Sequence, residues 1–391
     1  MRVLIQMGDS YPFGSPCANR IRTFYEQFTK HGDTVKVLAP KTEKRPQKVN
    51  DVTYCPNFSI RSKSSLNRLF NQMSLGISSL FLSFKAGKAD VVITTSPPPL
   101  ISVFGWMIAK FKRAKLVYDV RDIWPDVAWE MGSFDRNSFI SKVFEFSRNF
   151  MLKHSDLVSV VSNGKKEKLQ SYCPDVQIEI ISNGLDEDFL ETPENTSLIK
   201  KYNLNDKFTC VYVGNLGLAQ GLTQLMNVAK KAHQEDLDAQ FILFGSGVEE
   251  NKLKEFVVQN NLDNVKFAGR IPSTDIYTVL KYSDMCFVSL VNKNLTDSVP
   301  TKLYEGLAVG CPVLLAAAGE SAELVKRCKL GIAVEPYDMQ NIWEAFKSFY
   351  ENIDAFNEYK QYSTDVILED YSRQKIAEKM RNVIYKLHSN T

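Results

Sequence analysis

Three ionisable residues lie close together where an apolar, strand-like segment gives way to a helical pattern. Asp297 is in the loop, and Lys302 and Glu305 follow it, three residues apart. Pro300 suits a first helical turn, because its missing N–H would be unpaired there in any case, and Ser298 is a plausible cap. A lysine and a carboxylate on one face beside a positive helix end favour a diphosphate next to two hydroxyl groups. The alternative is an exposed helix with an internal Lys–Glu pair.

A second group of charges surrounds the end of another apolar segment. Arg121 and Asp122 follow Val120 directly, Asp119 precedes it, and Asp126 comes shortly afterwards. So many ionisable groups where a strand emerges predict a site for hydroxyls or phosphates. A salt-bridged loop is the alternative interpretation.

Small residues mark three loops in which a phosphate could approach the backbone closely. They are Gly14 and Ser15, Gly214 and Asn215, and Gly245 and Gly247. The first two loops each precede a helical pattern. The third is weaker evidence, because Gly-x-Gly by itself usually marks only a tight turn.

Strand-like runs alternate with longer helical patterns, and these elements would position the candidate residues. The series starts at Val3 and restarts at Phe208. This rhythm predicts parallel sheets covered on both faces, whose ligands bind beyond the carboxyl ends of the strands. We therefore expect an α/β fold with two Rossmann-like domains, residues 1–188 and 189–371, and a final helix in residues 372–391.

Cysteine spacing and charge restrict the classes of function. The seven cysteines and four histidines are scattered singly, without the short spacings of zinc or redox sites, so we expect reduced thiols and no metal site. The net charge of +3 conceals an asymmetry, because residues 1–190 hold 26 Lys+Arg against 19 Asp+Glu and residues 191–391 hold 22 against 26. Such a bias concerns partners rather than the fold. We expect no nucleic-acid partner.

The basic half contains a segment without acidic residues, between Asp51 and Asp90. Within it, apolar residues follow helical three-and-four spacing for about five turns, at Leu66, Leu69, Phe70, Met73, Ile77, Leu80, Phe81 and Phe84. The commoner meaning of such a stripe is a face packed on the core. The basic residues in segment 61–88, among them Arg61, Lys63 and Arg68, raise the alternative of a surface that rests on anionic lipid headgroups, and both hold at once if only the basic face touches lipid.

The amino terminus and the apolar runs predict a cytoplasmic protein. Residues 1–6 run directly into a strand-like pattern and lack the zones of a signal peptide. The longest apolar run, roughly 97–109, is too short to cross a hydrocarbon core about 30 Å thick. We expect no membrane-spanning helix.

As a set, these motifs resemble the retaining glycosyltransferases of family 4, which have the GT-B fold. Segment 297–315 is similar to that family's pattern of two carboxylates separated by seven residues, followed by a helix and a strand. The resemblance extends nearly from end to end. Segments 94–99 and 119–125 look most like the branch that builds capsule and O-antigen repeat units in bacteria.

The resemblance implies two parallel sheets facing a central cleft, with a nucleotide-sugar-binding second domain, an acceptor-binding first domain and a final helix that crosses back to the first. Glu305 would bind the donor's ribose, Asp297 the transferred sugar and Lys302 the diphosphate. The remaining donor-binding residues would be Gly14, Ser15, Gly214, Asn215, Gly245, Gly247 and Arg270. Arg121 and Asp122 would bind the acceptor, with Asp122 as a hypothetical base.

The sequence departs from this family's pattern at two places. The first carboxylate is Asp297 instead of the usual Glu, so its reach is one methylene shorter. The family often has an Arg and a Lys in the loop after the opening strand of the second domain, where this chain has Asn215 and Gln220. Fewer cations would then meet the phosphate charge.

The resemblance also implies the reaction and its partners. The chain would transfer an N-acetylated hexosamine or a deoxyhexosamine, with retention, from a nucleotide diphosphate donor, UDP being the family's commonest. The acceptor would be an undecaprenyl diphosphate-linked saccharide at the inner face of the plasma membrane. No metal or other cofactor would be needed, because a helix N-terminus and cations can stabilise the departing diphosphate.

Two other functions compete with this interpretation. A dinucleotide-dependent oxidoreductase should show Gly-x-Gly-x-x-Gly after the first strand and an acidic residue ending the second. Here the second strand runs into Ala39, Pro40 and Lys41 instead. A non-catalytic membrane-bound scaffold would fit the acid-free segment but leave Lys302 and its neighbouring carboxylates without a role.

Overall fold

The computed structural model describes residues 1–12, 15–41, 49–58, 65–132, 134–204 and 206–389. Internal contacts divide the chain into two compact units. One contains Met1–Asn183 with Arg373–Thr391, and the other contains Gly184–Ser372. The sequence predicts boundaries after residues 188 and 371, which lie close to the bounds of these units.

The first unit contains a parallel sheet with helices on both faces. Its described strands are β1 (Arg2–Gln6), β2 (Thr34–Pro40), β3 (Val52–Cys55), β4 (Val91–Ser96), β5 (Lys115–Val120), β6 (Leu157–Val160) and β7 (Ile178–Ile180). Its helices up to residue 183 are α1 (Pro16–Lys30), α2 (Ser65–Ser83), α3 (Ile101–Lys112), α4 (Asp126–Glu130), α5 (Phe139–His154) and α6 (Asn163–Tyr172). The strand order is β3-β2-β1-β4-β5-β6-β7.

Side chains that point alternately to the two faces of each strand form an apolar core on each side of this sheet. Val3 and Ile5 of β1 face one apolar layer, whereas Leu4 faces the other. Because successive side chains of a strand point to opposite faces, a strand covered on both sides must be apolar throughout. This explains why the strand segments of the sequence are nearly continuous apolar runs.

The second unit repeats the arrangement. Its described strands are β8 (Phe208–Val213), β9 (Ala239–Phe244), β10 (Val265–Gly269), β11 (Met285–Ser289), β12 (Val313–Ala316) and β13 (Gly331–Val334). Its helices are α7 (Thr196–Tyr202), α8 (Thr223–Gln234), α9 (Glu250–Gln259), α10 (Ser273–Lys281), α11 (Thr301–Val309), α12 (Glu320–Cys328), α13 (Met339–Asn352) and α14 (Lys360–Asp370). The order β10-β9-β8-β11-β12-β13 is that of a Rossmann sheet. The predicted α/β class with two Rossmann-like domains is therefore confirmed.

The last helix, α15 (Arg373–Ser389), returns to the first unit. Its buried residues Ile376, Ala377, Met380 and Ile384 share an apolar cluster with α1. Arg381 Nε donates a hydrogen bond of 2.7 Å to Asp33 Oδ2. The predicted crossing of the final helix back to the first domain is confirmed.

Helix α2 does not present its apolar stripe to the core. The exposed large apolar side chains of α2 and the turn after it are Leu66, Phe70, Met73, Ile77, Phe81 and Phe84. The packed face instead combines Leu75 with small residues: a Cβ at Gly76 would lie 2.1 Å from Phe104 Cδ2 of α3, and Ser79 Oγ accepts a hydrogen bond of 2.6 Å from Gln6. The interpretation of the stripe as core-facing is therefore wrong for most of its length. Of the helices that the structure describes, none combines the length and hydropathy needed to cross a bilayer.

Candidate functional site

The loops that follow β8 and β9 pack against each other so tightly that only glycine fits. A Cβ at Gly245 would lie 1.8 Å from the Gly214 carbonyl oxygen, and one at Gly247 would lie 2.3 Å from that of Leu216. The N–H of Gly214 donates to Phe244 O at 2.8 Å, and that of Gly245 to Gly269 O at 2.8 Å. These two predicted phosphate donors therefore already have carbonyl partners, and the glycines are needed to bring the loops together.

The switch point of the second sheet lies between β8 and β11, from which the chain winds in opposite directions. Ligands of open α/β sheets bind outside the carboxyl ends of strands at such a point. Helix α11 follows β11 there and begins at Thr301, with Pro300 as the residue before it at φ −63° and ψ 139°. The prediction that Ser298 caps this helix is wrong, because an extended proline occupies the cap position and the Ser298 hydroxyl lies 3.4 Å from Asp297 Oδ1.

Lys302 reaches from the first turn of α11 to the end of β8. Its Nζ donates hydrogen bonds of 2.7 Å to Tyr212 Oη and 2.7 Å to Gln220 Oε1. The ammonium also lies 4.1 Å from the centroid of the Tyr212 ring, within the range of a cation–π contact. We call Tyr212, Gln220 and Lys302 the Lys302 cluster.

The charge of Lys302 is poorly compensated in this environment. Burial lowers the pKa of its ammonium to about 7, and the attraction of Glu305, one turn further along α11, opposes this shift only in part. Burial also raises the pKa of the Tyr212 hydroxyl, which stays neutral and donates to Asn215 O at 2.7 Å. An anion placed beside Lys302 would restore its full charge.

The other predicted residues of the second unit lie in the loops around this cluster. Asp297 and Glu305 are half-buried, whereas Arg270 is exposed and donates from Nε to Ser246 Oγ at 2.5 Å. The loop carrying Asp297 is tied to α12, because Glu320 N donates to Thr296 O at 2.9 Å. The structure thus places Lys302 and Glu305 on one helix, with Asp297 in the loop that leads into it.

Two glutamines near the cluster were not predicted as functional. The sequence singled out Gln220 only as a departure from a family pattern, whereas the structure makes it an acceptor for Lys302. Gln224 is fully buried, accepts from Tyr337 N at 2.6 Å and donates to Gly221 O at 3.1 Å. A lone uncharged glutamine gives no pattern from which such a role could be recognised.

The charged residues at the end of β5 fall into two sets, those that are paired within the protein and those that could bind a ligand. Asp119 is fully buried and receives two hydrogen bonds from Arg20, at 2.9 and 3.2 Å, and one from Ser159 at 2.7 Å. Asp126 is buried against Arg148 and Tyr172. The salt-bridged interpretation is therefore the correct one for these two aspartates.

Arg121 and Asp122 remain as candidate binding residues. Arg121 Nη2 donates to Pro97 O at 2.8 Å, while its buried Nε has no hydrogen-bond partner in the described part of the chain. Asp122 is half-buried beside it. A buried donor without a partner costs free energy, so a bound acceptor oxygen at Arg121 would stabilise this loop.

The predicted phosphate loop of the first unit is described only in part. Gly14 lies outside the described residues. Ser15 is the cap of α1, and its hydroxyl accepts a hydrogen bond of 3.1 Å from Ala18 N. One N–H of this helix end is thus already satisfied by the protein.

Over the described ranges, no group of three His, Cys, Asp or Glu side chains could hold a metal ion. The described cysteines, all seven of the chain, are unpaired.

Comparison with known proteins identifies the class of enzyme. The family model described as Glycosyltransferase Family 4 matches residues 18–189, and that described as Glycosyl transferases group 1 matches residues 194–383. The chain is 24% identical over 327 residues to WcaI of Escherichia coli K12, over 76% of this chain and 75% of that protein. The name of WcaI assigns it provisionally to colanic acid biosynthesis as a glycosyl transferase.

Solved structures share the whole architecture at low sequence identity. Sucrose-phosphate synthase from Thermosynechococcus elongatus has a TM-score of 0.83 at 17% identity, over 99% of this chain and 100% of that chain. Anabaena HepE, solved in complex with UDP and glucose, has a TM-score of 0.77 at 15% identity, over 99% and 100%. At these identities the structures show the fold, while the two family models, which together cover most of the chain, show that it belongs to the glycosyltransferases of GT-B type.

Proposed function

We propose that this glycosyltransferase takes its sugar from a UDP-linked donor held at the Lys302 cluster. The observation that carries the proposal is the ammonium of Lys302, which lies at the switch point of the second sheet and, among the described residues, is hydrogen-bonded only to neutral acceptors. A diphosphate supplies the negative charge that this position lacks. The complex of the structurally similar HepE with UDP and glucose supports the choice of nucleotide.

The neighbouring residues take the other parts of the donor in this proposal. Glu305 accepts hydrogen bonds from the ribose, Asp297 from the hydroxyls of the transferred sugar, and Arg270 lies near the base. The N–H groups that open α11 stabilise the departing diphosphate together with Lys302. Transfer then proceeds with retention and without a metal ion, so activity should persist in excess EDTA.

The acceptor in this proposal is a lipid-linked saccharide that binds at Arg121 and Asp122. The unpartnered Nε of Arg121 suits an oxygen-rich ligand, and Asp122 could receive the proton of the attacking hydroxyl. The transferred sugar is an N-acetylated hexosamine or a deoxyhexosamine of a bacterial surface polysaccharide. The provisional colanic acid assignment of WcaI agrees with this class of product.

A membrane surface is the place where such an acceptor would be met. The exposed stripe of α2 is continued by Phe111 of α3, whose side chain is 63% exposed and whose ring lies 6.0 Å from that of Phe84. Arg68, Lys85 and Lys88 are exposed along the same segment. An apolar face flanked only by basic residues is typical of helices that rest on anionic bilayers. We therefore place the enzyme at the cytoplasmic face of the plasma membrane.

The donor assignment is tested by thermal unfolding and a transfer screen. UDP should raise the unfolding temperature, and uridine should raise it much less, because only UDP reaches Lys302 with a phosphate. UDP-sugars are then screened for transfer to lipid extracts, with Lys302→Met as the inactive comparison. If the chain responds to no nucleoside diphosphate, the proposed donor site is refuted and the scaffold interpretation is favoured.

The membrane assignment is tested by sedimentation with vesicles of phosphatidylglycerol and phosphatidylcholine. Replacing Phe81 and Phe84 by serine should reduce binding at every salt concentration, because burial of apolar surface is not screened. Replacing Arg68, Lys85 and Lys88 by serine should reduce it mainly at low salt. Val258→Ser, at a residue 74% exposed on α9, is the control. Unchanged sedimentation of both sets would refute a bilayer partner.

A further inference from the structure

Lys302 uses two of its three N–H donors on protein acceptors. Tyr212 Oη and Gln220 Oε1 each lie 2.7 Å from Nζ. An ammonium group has three donors, and the third has no hydrogen-bond acceptor in the described part of the chain. Two fixed acceptors on one nitrogen restrict where its remaining N–H can point.

Gln220 is itself held in place by the backbone around it. Its carbonyl accepts a hydrogen bond from the Ser289 hydroxyl at the end of β11. The neighbouring Ala219 carbonyl accepts from Val291 N at 2.9 Å. Gly221 follows in the left-handed region, at φ +56°, which a glycine adopts without strain. These bonds join the loop after β8 to the end of β11 and fix the backbone from which the Gln220 amide oxygen reaches Lys302.

Within the part of the chain that the structure describes, the groups that face Lys302 include only one carboxylate. Tyr212 comes from β8, Gln220 from the loop after it, Cys286 from β11 and Glu305 from α11 itself. Gln220 therefore orients the ammonium without neutralising it. A carboxylate at that position would orient Lys302 equally well but would compete with any anion for its charge.

We propose that Gln220 is a positioning residue for the donor diphosphate: with the Tyr212 hydroxyl it fixes the Lys302 ammonium, adds no negative charge beside it and leaves one N–H for a phosphate oxygen. This inference rests on the proposed function and assigns a role that the charge pattern of the sequence does not reveal. It also accounts for a neutral side chain where a cation or a carboxylate would change the site's net charge.

The first test needs no nucleotide. Protein with isotope-labelled lysine is titrated by NMR, and the Lys302 resonance is identified by its loss in Lys302→Met. Gln220→Met removes an acceptor that favours the charged form, so the titration midpoint should fall; Gln220→Glu adds a negative charge, so it should rise. Equal midpoints in wild type, Gln220→Met and Gln220→Glu would show that Gln220 does not act on Lys302 and would overturn the proposal.

The second test measures the binding of UDP and uridine by calorimetry. Gln220→Met should weaken UDP binding by about tenfold at pH 8, and less at pH 7, because a charge-assisted hydrogen bond is lost and Lys302 is then more often neutral. Gln220→Glu should weaken UDP binding at both pH values by a similar or greater factor, because like charges are brought together. Uridine binding should be unchanged in both variants.

Gln259→Glu, at an exposed residue ending α9, controls for the added charge and should match wild type. A merely structural role for Gln220 would weaken UDP and uridine alike with no dependence on pH, and that result overturns the proposal. If wild-type protein binds no nucleoside diphosphate, the proposed function fails, whereas the titration still decides whether Gln220 positions Lys302.

Discussion

Charged side chains at the carboxyl ends of the two sheets have different kinds of partners. At the end of β5, Asp119 receives three hydrogen bonds, two of them from Arg20, and all of these atoms are buried. At the end of β8, Lys302 is half-buried and is held by a tyrosine hydroxyl and a glutamine amide. Both sheets have the same strand order around their switch points.

The difference separates charges that hold a fold together from charges that are available to a ligand. In a buried pair such as Arg20 and Asp119, the two side chains satisfy each other's hydrogen bonds and charge. Such a pair does not bind a substrate, but removal of one partner destabilises the fold strongly. Lys302 is oriented by neutral groups that do not compensate its charge. Keeping the ammonium protonated in the ligand-free protein therefore costs more free energy. Substitutions at the two edges should therefore have opposite consequences for stability and binding.

The largest effect is expected from Glu305→Ala. If Glu305 accepts hydrogen bonds from the ribose hydroxyls as proposed, its loss should lower kcat/KM by about a thousandfold, since hydrogen bonds to a charged group are lost in the bound state. The unfolding temperature should change little, because this residue is half-buried. Glu323→Ala, on the exposed side of α12, is the control, and full activity of Glu305→Ala would remove the proposed donor site.

Arg20→Met should destabilise the first unit without a direct effect on the donor. The change leaves Asp119 buried without its cation, which costs about 3–5 kcal/mol of unfolding free energy, measured by denaturant titration. Arg22→Met, on the same helix with an exposed Glu26 partner at 3.7 Å, should cost less than about 1 kcal/mol. Similar losses of unfolding free energy in both variants would mean that the Arg20–Asp119 pair does not stabilise the first unit.

Asp122→Asn tests whether the edge of the first sheet also contains an available charge. If this carboxylate takes the proton of the acceptor hydroxyl, kcat should fall by about a hundredfold or more, while UDP affinity should be unchanged. The readout is steady-state transfer with saturating donor. Wild-type kcat would show that Asp122 belongs with Asp119 and Asp126 among the structural residues.

The smallest effect expected near neutral pH is a pH dependence that comes from Lys302. Its pKa is lowered in the folded protein from 10.5 to about 7, so between these values the unfolded chain binds more protons than the folded one. Its contribution therefore makes the unfolding free energy rise with pH over this window, and Lys302→Met should remove that rise. UDP affinity should change in the opposite direction, falling by less than about tenfold from pH 7 to pH 8.

Calorimetry in two buffers of different ionisation enthalpy checks this directly. At pH 8, UDP binding should be accompanied by uptake of a fraction of a proton, because the diphosphate restores the charge of Lys302. Lys302→Arg provides the comparison, since arginine stays charged throughout this range. Equal proton uptake by both proteins would place the titrating group elsewhere.

The repeat of strands and helices in the sequence was sufficient to predict the fold, because buried parallel strands must be apolar on both faces. It also predicted the start of the helix that carries Lys302 and Glu305, because a proline is typical of the first positions of a helix. The contents of the site were harder to foresee. Gln220 and Tyr212 carry no charge, and only the three-dimensional structure brings them to Lys302.

Two sequence interpretations failed for identifiable reasons. The stripe of α2 has the same periodicity whether it faces a core or a solvent-exposed surface, and the decisive residues were the small ones on the other face, Gly76 and Ser79. At β5, four charges close together in sequence could not be sorted into paired and available ones, because the partners Arg20 and Arg148 come from distant helices.

The return of α15 to the first unit has a consequence for how the chain is made. The apolar side of α1 is covered by Ile376, Met380 and Ile384, which leave the ribosome only after the entire second unit has been synthesised. Part of the apolar core of the first unit therefore stays exposed until synthesis ends, whereas the second unit can finish folding before that. A chain shortened by its last helix should consequently be captured by chaperones through its amino-terminal half.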